Sequence, residues 1–131
     1  MKVSVLSYSF RGLLAEGKMD LFGYLETCRY RYDLDAADIW NGFLVSTDED
    51  YLRKVKEALD ERELVLADLC VDRAHVWDDD PDVREQNYRN ALAHLNAARI
   101  LGARFIRIDA GSRRETWSDE EFDHIVRRSR E

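Results

Sequence analysis

The chain has 131 residues, of which 45% are hydrophobic and 36% are charged, and its formal net charge is −7 at pH 7. This length fits one compact domain with a buried core, and the single Pro and six Gly exclude collagen-like and low-complexity classes. The acidic balance argues against DNA, RNA and anionic membrane surfaces as partners, whereas a cation or a neutral polar small molecule is compatible with it.

No targeting segment is predicted. The apolar run near the start covers only residues 3–6, which is too short for a signal peptide, and no stretch approaches the ~20 apolar residues of a membrane span. Cys28 and Cys70 have no neighbouring cysteine of the CxxC kind. We therefore expect two buried thiols in a reduced, cytoplasmic chain.

Strand-like and helix-like segments alternate from the first residues onward. Residues 2–7 predict a short strand, and a loop containing Gly12 and Gly17 follows it. Asp20 is placed to cap a first helix, because its carboxylate can accept bonds from free backbone N–H groups. The predicted apolar face of that helix holds Leu21, Leu25 and Cys28.

The middle of the chain repeats this order. Residues 34–40 predict a second strand, and residues 46–48 supply caps for a second, amphipathic helix. Residues 64–71 predict a third strand, which is almost continuously apolar, as is typical of a parallel strand covered on both faces.

The last third predicts two further helices and one strand. The third helix begins at Asp80-Pro81 and ends at Gly102, which suits the left-handed conformation of a helix end. Residues 105–108 predict a fourth strand, and residues 118–121 form an S-x-x-E capping box for a fourth helix. The predicted apolar stripe of the third helix is Tyr88, Ala91, Leu92, Leu95, Ala98 and Leu101, while His94 and His124 are expected on the surface.

The predicted fold class is α/β, with four βα units in residues 1–131. Strands that alternate with helices favour a parallel sheet with right-handed crossovers. A closed (β/α)₈ barrel needs eight units and ~250 residues, so four units make half of a barrel or a small open sheet of the flavodoxin kind. The open sheet is disfavoured because no tight glycine pattern that could bind phosphate follows the first strand.

Ligands bind at the carboxyl ends of the strands in both architectures. Aromatic rings there are mixed with hydroxyl, carboxylate and guanidinium groups, a combination that suits a polar, sugar-like ligand. The strand ends contribute Ser7, Tyr8, Ser9 and Phe10; Asp38, Trp40 and Asn41; Asp72, Arg73, His75 and Trp77; and Arg107, Asp109 and Ser112.

Residues 97–111 read AARILGARFIRIDAG. This segment resembles the third-helix ending A-x-x-L-G-A and the following fourth strand, ending in Gly, of the xylose isomerase-like TIM barrels. That family includes sugar phosphate isomerases and epimerases and the family 2 AP endonucleases. Residues 37–40 and 1–10 resemble its second and opening strands, so the chain would correspond to about the amino-terminal half of such a barrel.

The resemblance implies a metal-dependent activity on a ketose, a sugar phosphate or an inositol-type substrate. In sugar-processing members one or two divalent cations, commonly Mn²⁺, Mg²⁺ or Co²⁺, polarise the substrate while carboxylates move a proton through an enediolate. The family's principal ligands come from later strands, roughly the fifth to the eighth. None is carried over, and we expect this chain alone to hold no metal and to be inactive.

The resemblance makes His75 the sharpest catalytic candidate, since several family members carry a substrate-binding or metal-binding His near the end of the third strand. Asp109 stands where the nuclease branch carries a metal-binding His, which argues against a nuclease-type cluster. Structural alternatives exist for each residue. His75 can be a loop residue beside Trp77, Arg107 a strand residue paired with Asp38 or Asp72, and Asp109 the cap of a turn. Packing is the favoured role of Tyr8 and Trp40. The predicted substrate-binding residues are Tyr8, Trp40, Asn41, His75, Arg107 and Asp109.

A non-catalytic half-barrel is the alternative. Four strands would leave two sheet edges and an apolar inner face exposed, and these could meet a missing carboxyl-terminal half. Two copies could also close an eight-stranded barrel by two-fold symmetry, which predicts a homodimer.

Overall fold

The computed structural model describes residues 3–111 and 114–131 of the chain. Its sheet has three parallel strands, β1 (Ala36–Trp40), β2 (Val65–Cys70) and β3 (Phe105–Arg107), in the sequential order β1-β2-β3. The predicted α/β class with a parallel sheet is therefore confirmed. The helices are α1 (Arg11–Ala15), α2 (Leu21–Glu26), α3 (Glu49–Glu61), α4 (Pro81–Leu101) and α5 (Asp119–Arg130).

The predicted first strand differs from the structure. In its described part it makes one isolated parallel bridge, between Leu6 and Asp38, instead of a regular ladder. The chain leaves the sheet edge after Leu6, because Ser7–Phe10 forms a 3₁₀ turn that runs directly into α1. Residues 3–111 and 114–131 therefore do not form four regular βα units, and the loop predicted around Gly12 is helical.

The Tyr24 side chain replaces the missing ladder at this edge. Its hydroxyl lies 2.6 Å from the Val5 carbonyl oxygen and 2.9 Å from that of Asp38, and it accepts a bond of 3.0 Å from the Asp38 N–H. Tyr24 is fully buried, and this burial raises the pKa of its hydroxyl. One phenol on α2 therefore holds the start of the chain against β1.

The local signals for helix ends are confirmed for α2, α4 and α5, but not for α3, whose N-cap residue Asp48 makes no side-chain cap bond. The Asp20 carboxylate accepts the Gly23 N–H at 2.8 Å at the start of α2, and Asp80 caps α4 ahead of Pro81. Gly102 ends α4 with φ 70°, and Ser118 and Glu121 form both bonds of the capping box. These ends depend on a few adjacent residues, which is why the sequence alone reveals them.

One face of the sheet is packed against the helices, and its side chains belong to the core. The other face, called the open face below, carries Asp38, Asp68, Cys70, Phe105 and Arg107, which are register neighbours along the three strands. Phe105 is 72% exposed there. Trp40 lies on this face too, so the open face combines the charged Asp38, Asp68 and Arg107 with Trp40, Cys70 and Phe105, and it is not the purely apolar inner face expected from the sequence. The buried core includes Tyr24, Leu25, Ala37, Ile39, Leu52, Val55, Leu59, Leu66, Leu69, Ala97 and Leu101.

The buried residues of helix α4 differ from the predicted apolar stripe. His94 is only 6% exposed, whereas Leu92 and Leu95 are about half exposed, so the expectations for these residues were wrong. The polar atoms of the buried His94 have partners, since Nδ1 lies 2.9 Å from the Asn90 carbonyl oxygen. Small Ala side chains on the same face let α4 approach the sheet closely. No helix within residues 3–111 and 114–131 has the length and apolar character needed to cross a lipid bilayer.

Replacing Tyr24 with Phe tests the role of its hydroxyl. We expect Tyr24→Phe to lower the free energy of unfolding by about 2 kcal/mol, because it removes the acceptor of the Asp38 N–H and the one hydroxyl donor that the Val5 and Asp38 carbonyl oxygens share. Urea denaturation measures this change. Tyr30→Phe is the matched control, since Tyr30 is 73% exposed and should give an unchanged midpoint. Equal stability of both variants would contradict the assigned role.

Candidate functional site

Asp72 joins the carboxyl ends of the three strands. The Trp40 indole Nε1–H, at the end of β1, donates to Asp72 Oδ2 at 2.7 Å. Arg107 Nη2, at the end of β3, lies 3.8 Å from Asp72 Oδ1. The alternative that pairs Arg107 with Asp72 is thus confirmed. Asp72 itself was noted at a strand end but was not among the six predicted binding residues, because its partners are distant in sequence.

The backbone around Asp72 is held by side-chain amides. Asn41 Oδ1 accepts the Asp72 N–H at 3.0 Å, and Asn41 Nδ2 donates to the Asp72 carbonyl oxygen at 3.2 Å. Asn90 Nδ2 donates to the carbonyl oxygens of Asp72 and Arg73 at 3.1 and 2.9 Å. These bonds extend the pairing of β1 with β2 beyond the strand ends. The predicted binding residue Asn41 therefore positions Asp72.

An aromatic wall borders Asp72. Tyr8 and Trp40 make an edge-to-face contact with ring centroids 4.9 Å apart, and Tyr8 is exposed. Ser7 Oγ accepts the Trp40 N–H at 2.8 Å and so fixes the turn that carries Tyr8. Gly42 lies under the Trp40 indole, where any Cβ atom would overlap the ring. The two rings therefore form a fixed and partly exposed surface.

Arg107 supplies a cationic group beside this wall. Its Nε lies 3.8 Å from Asp109 Oδ1, and its side chain is 50% exposed. Both of its ion pairs are too long for direct hydrogen bonds, so the guanidinium interacts with these carboxylates by charge alone. Trp40 and Arg107 lie beside Asp72, while Tyr8 contacts Trp40 and Asp109 lies near Arg107. We call this connected set of five residues the rim.

His75 lies beside the rim rather than within it. His75 Nε2 is 3.1 Å from Asp78 Oδ2, and both side chains are about one-third exposed. The next two residues pair with the segment after β3, since the Val76 and Trp77 N–H groups donate to the Asp109 and Ala110 carbonyl oxygens at 3.0 and 2.7 Å. His75 lines an adjacent polar groove of about 670 Å³ with Asn41, Asp72, Arg73, Gln86, Asn90 and His94.

The described residues do not assemble a metal site. Residues 3–111 and 114–131 hold no group of three or more His, Cys, Asp or Glu side chains placed to bind an ion. The Asp run at residues 78–80 is instead used locally: Asp80 caps α4, and Asp79 pairs with Arg114 at 2.9 Å. Ser112, noted at the end of the fourth predicted strand, lies outside the described residues.

The two cysteines are free and buried, as predicted. Cys70 is 4% exposed, and its thiol donates to Asp68 Oδ2 at 3.1 Å. Burial, this bond and the nearby carboxylate charges raise the pKa of Cys70 to about 12. Burial also raises the pKa of Cys28. Neither thiol is therefore a nucleophile near neutral pH.

A scan against protein-family models finds no match to this chain. A search of curated proteins finds no significant relative either. The resemblance to xylose isomerase-like barrels remains a prediction that rests on the motifs quoted above.

The reactivity of the Cys70 thiol tests its contact with Asp68 on the open face. In a Cys28→Ala background, we expect Asp68→Asn to accelerate alkylation of Cys70 several-fold at pH 8 to 9, because the thiolate loses a like-charged neighbour. Iodoacetamide labelling followed by mass spectrometry measures the rate.

Asp109→Asn is the matched control for this test. It removes a carboxylate at the rim that is not among the groups raising the Cys70 pKa, so it should leave the rate close to that of the background. Acceleration by Asp109→Asn to the same extent would contradict a specific contact between Asp68 and Cys70.

Proposed function

We propose that this chain provides the substrate-binding rim of a sugar isomerase- or epimerase-like protein that acts on a ketose, a sugar phosphate or an inositol-type substrate. The observation that carries the proposal is the meeting of the Tyr8–Trp40 wall with Asp72, Arg107 and Asp109 at the carboxyl ends of parallel strands. In parallel α/β architectures this edge is where ligands bind.

The rim offers apolar and polar groups, which match the C–H groups and the hydroxyl groups of a polyhydroxylated molecule. The faces of aromatic rings cover C–H groups, and the carboxylates of Asp72 and Asp109 accept bonds from hydroxyls. The Arg107 guanidinium donates to a carbonyl or a phosphate oxygen, and the charge strengthens such bonds. Among these ligands, a phosphate ester would gain most from Arg107.

The sequential strand order supports a barrel-like relationship. In a flavodoxin-like sheet the first strand lies between the second and the third, whereas here the Leu6 bridge, β1, β2 and β3 follow one another in chain order. Sequential order is the arrangement of a (β/α)₈ barrel. For this reason the proposal includes a half-barrel architecture for the chain.

The proposal assigns binding, and not the chemical step, to this chain. In the resembling enzymes a divalent cation such as Mn²⁺, Mg²⁺ or Co²⁺ would act as a Lewis acid. The described residues offer no ligand set that fits such an ion, so no proton transfer through a metal is assigned to them. His75, paired with Asp78, lines the groove beside the rim.

Ligand titrations test the binding role. We expect fructose, a fructose phosphate or myo-inositol to shift the indole N–H resonance of Trp40, which Trp40→Phe identifies by its loss. Arg107→Met should weaken binding of the phosphate ester by about tenfold or more, the loss of a charge-assisted bond. Arg104→Met, at the opposite end of the sheet, is the control and should bind normally. No resonance shift with any of the three would count against the rim as a sugar site.

A turnover assay tests the division of roles. The isolated chain with Mn²⁺ should give no ketose epimerisation, because the residues that bind metal in the resembling enzymes have no counterpart in the described chain. Gas or liquid chromatography of the sugar products provides the measurement. Robust turnover would show that the chain is catalytically complete and would overturn this assignment.

A further inference from the structure

A cavity of about 480 Å³ is lined by α4 and α5 together with the segments that follow β2 and β3. Its floor consists of small and aliphatic side chains, which are Ala74, Val76, Ala91, Leu95 and Ile108. The volume falls in the ~300–1,000 Å³ range of small-ligand sites, which are mainly apolar and carry a few polar groups. No residue of the rim lines this cavity, so it is a second site on the molecule.

Two arginines and a histidine also line this cavity. The Arg84 guanidinium carbon lies 4.4 Å from the centroid of the Trp77 ring. The Arg128 guanidinium carbon lies 4.1 Å from the centroid of the Tyr88 ring. Burial lowers the pKa of His124, and the charges of both arginines lower it further, so the three side chains lie close enough to interact. Positive charge is therefore concentrated at this cavity, in a chain whose net charge is −7.

The chain itself places a carboxylate against these cationic groups. Glu131 Oε2 accepts a bond from Arg128 Nη1 at 2.8 Å and another from the Tyr88 hydroxyl at 3.2 Å, and the bond from Arg128 lowers the pKa of Glu131. The ion pair is open to solvent, and such pairs are weak, so another carboxylate can replace Glu131. Glu85 also lines the cavity, but its carboxylate pairs with Arg89 at 3.0 Å.

We propose that this cavity binds a small monocarboxylate with an apolar chain, whose carboxylate replaces that of Glu131 on Arg128 and Tyr88. Charge-assisted bonds from Arg128 fix the head group, and the apolar chain lies on the floor of the cavity. Arg84 has no carboxylate partner among the described residues and adds a second positive charge. A sugar would instead set its hydroxyls against an apolar floor, which is unfavourable. This inference does not rest on the function proposed for the rim.

Sodium octanoate, kept below the concentration at which it forms micelles, is the probe for this cavity. It is titrated into methyl-labelled protein, and the methyl resonances of Leu95 and Ile108 are followed by NMR. We expect saturable shifts of both resonances with octanoate. Acetate lacks the apolar chain and 1-octanol lacks the charge, so each should bind at least about tenfold more weakly than octanoate.

Three variants test the roles of the charged groups. Arg128→Met should weaken octanoate binding by about tenfold or more, whereas Glu131→Gln should strengthen it several-fold, because it removes a competing carboxylate. Arg99→Met removes the same charge elsewhere on α4 and should bind like wild type. If circular dichroism shows that Arg128→Met is unfolded, Arg84→Met replaces it and should weaken binding several-fold.

Four outcomes would overturn the proposal. They are the absence of saturable shifts with octanoate, equal affinity for 1-octanol, wild-type affinity in a folded arginine variant of the cavity, and no gain in affinity from Glu131→Gln. Saturable binding that weakens in Arg128→Met and strengthens in Glu131→Gln would support it. The sugar titrations of the rim follow the Trp40 indole resonance, so failure at one site is distinguishable from failure at the other.

Discussion

The Tyr24 hydroxyl is the interaction on which the rest of the molecule depends. It satisfies the Asp38 backbone and the Val5 carbonyl at an edge where the first segment makes one bridge instead of a ladder. The next turn begins two residues after Val5, so this anchor also determines where Tyr8 meets Trp40. A buried phenol on a helix thus fixes the aromatic wall of the rim at the end of a strand.

The two faces of the sheet differ in composition. The helix-packed face is apolar and supplies the stability of the fold, with Ile39 and Leu69 fully buried in it. The open face places Asp38 and Asp68 beside each other, although neighbouring like charges reduce stability. Each carboxylate uses one oxygen locally, since Asp38 accepts a bond from the Ser4 hydroxyl and Asp68 accepts one from the Cys70 thiol.

Much of the fold could be predicted because its signals are local. Asp20, Asp80 and Gly102 act within one turn of their own helix, so the helix ends follow from adjacent residues. The burial of His94 could not be predicted in this way. The spacing of apolar residues shows that a helix is present, but it does not determine which side of α4 packs against the core. Asp72 was not among the predicted binding residues, because its partner Trp40 is 32 positions away and only the packed sheet brings the two together.

The rim and the open face are electrostatically linked through Arg107. This side chain ends β3 on the open face, yet its two carboxylate neighbours, Asp72 and Asp109, belong to the rim. Arg107 also lowers the pKa of the Cys70 thiol, although burial and Asp68 act more strongly in the opposite direction. One guanidinium therefore interacts both with a thiol of the open face and with two carboxylates of the rim.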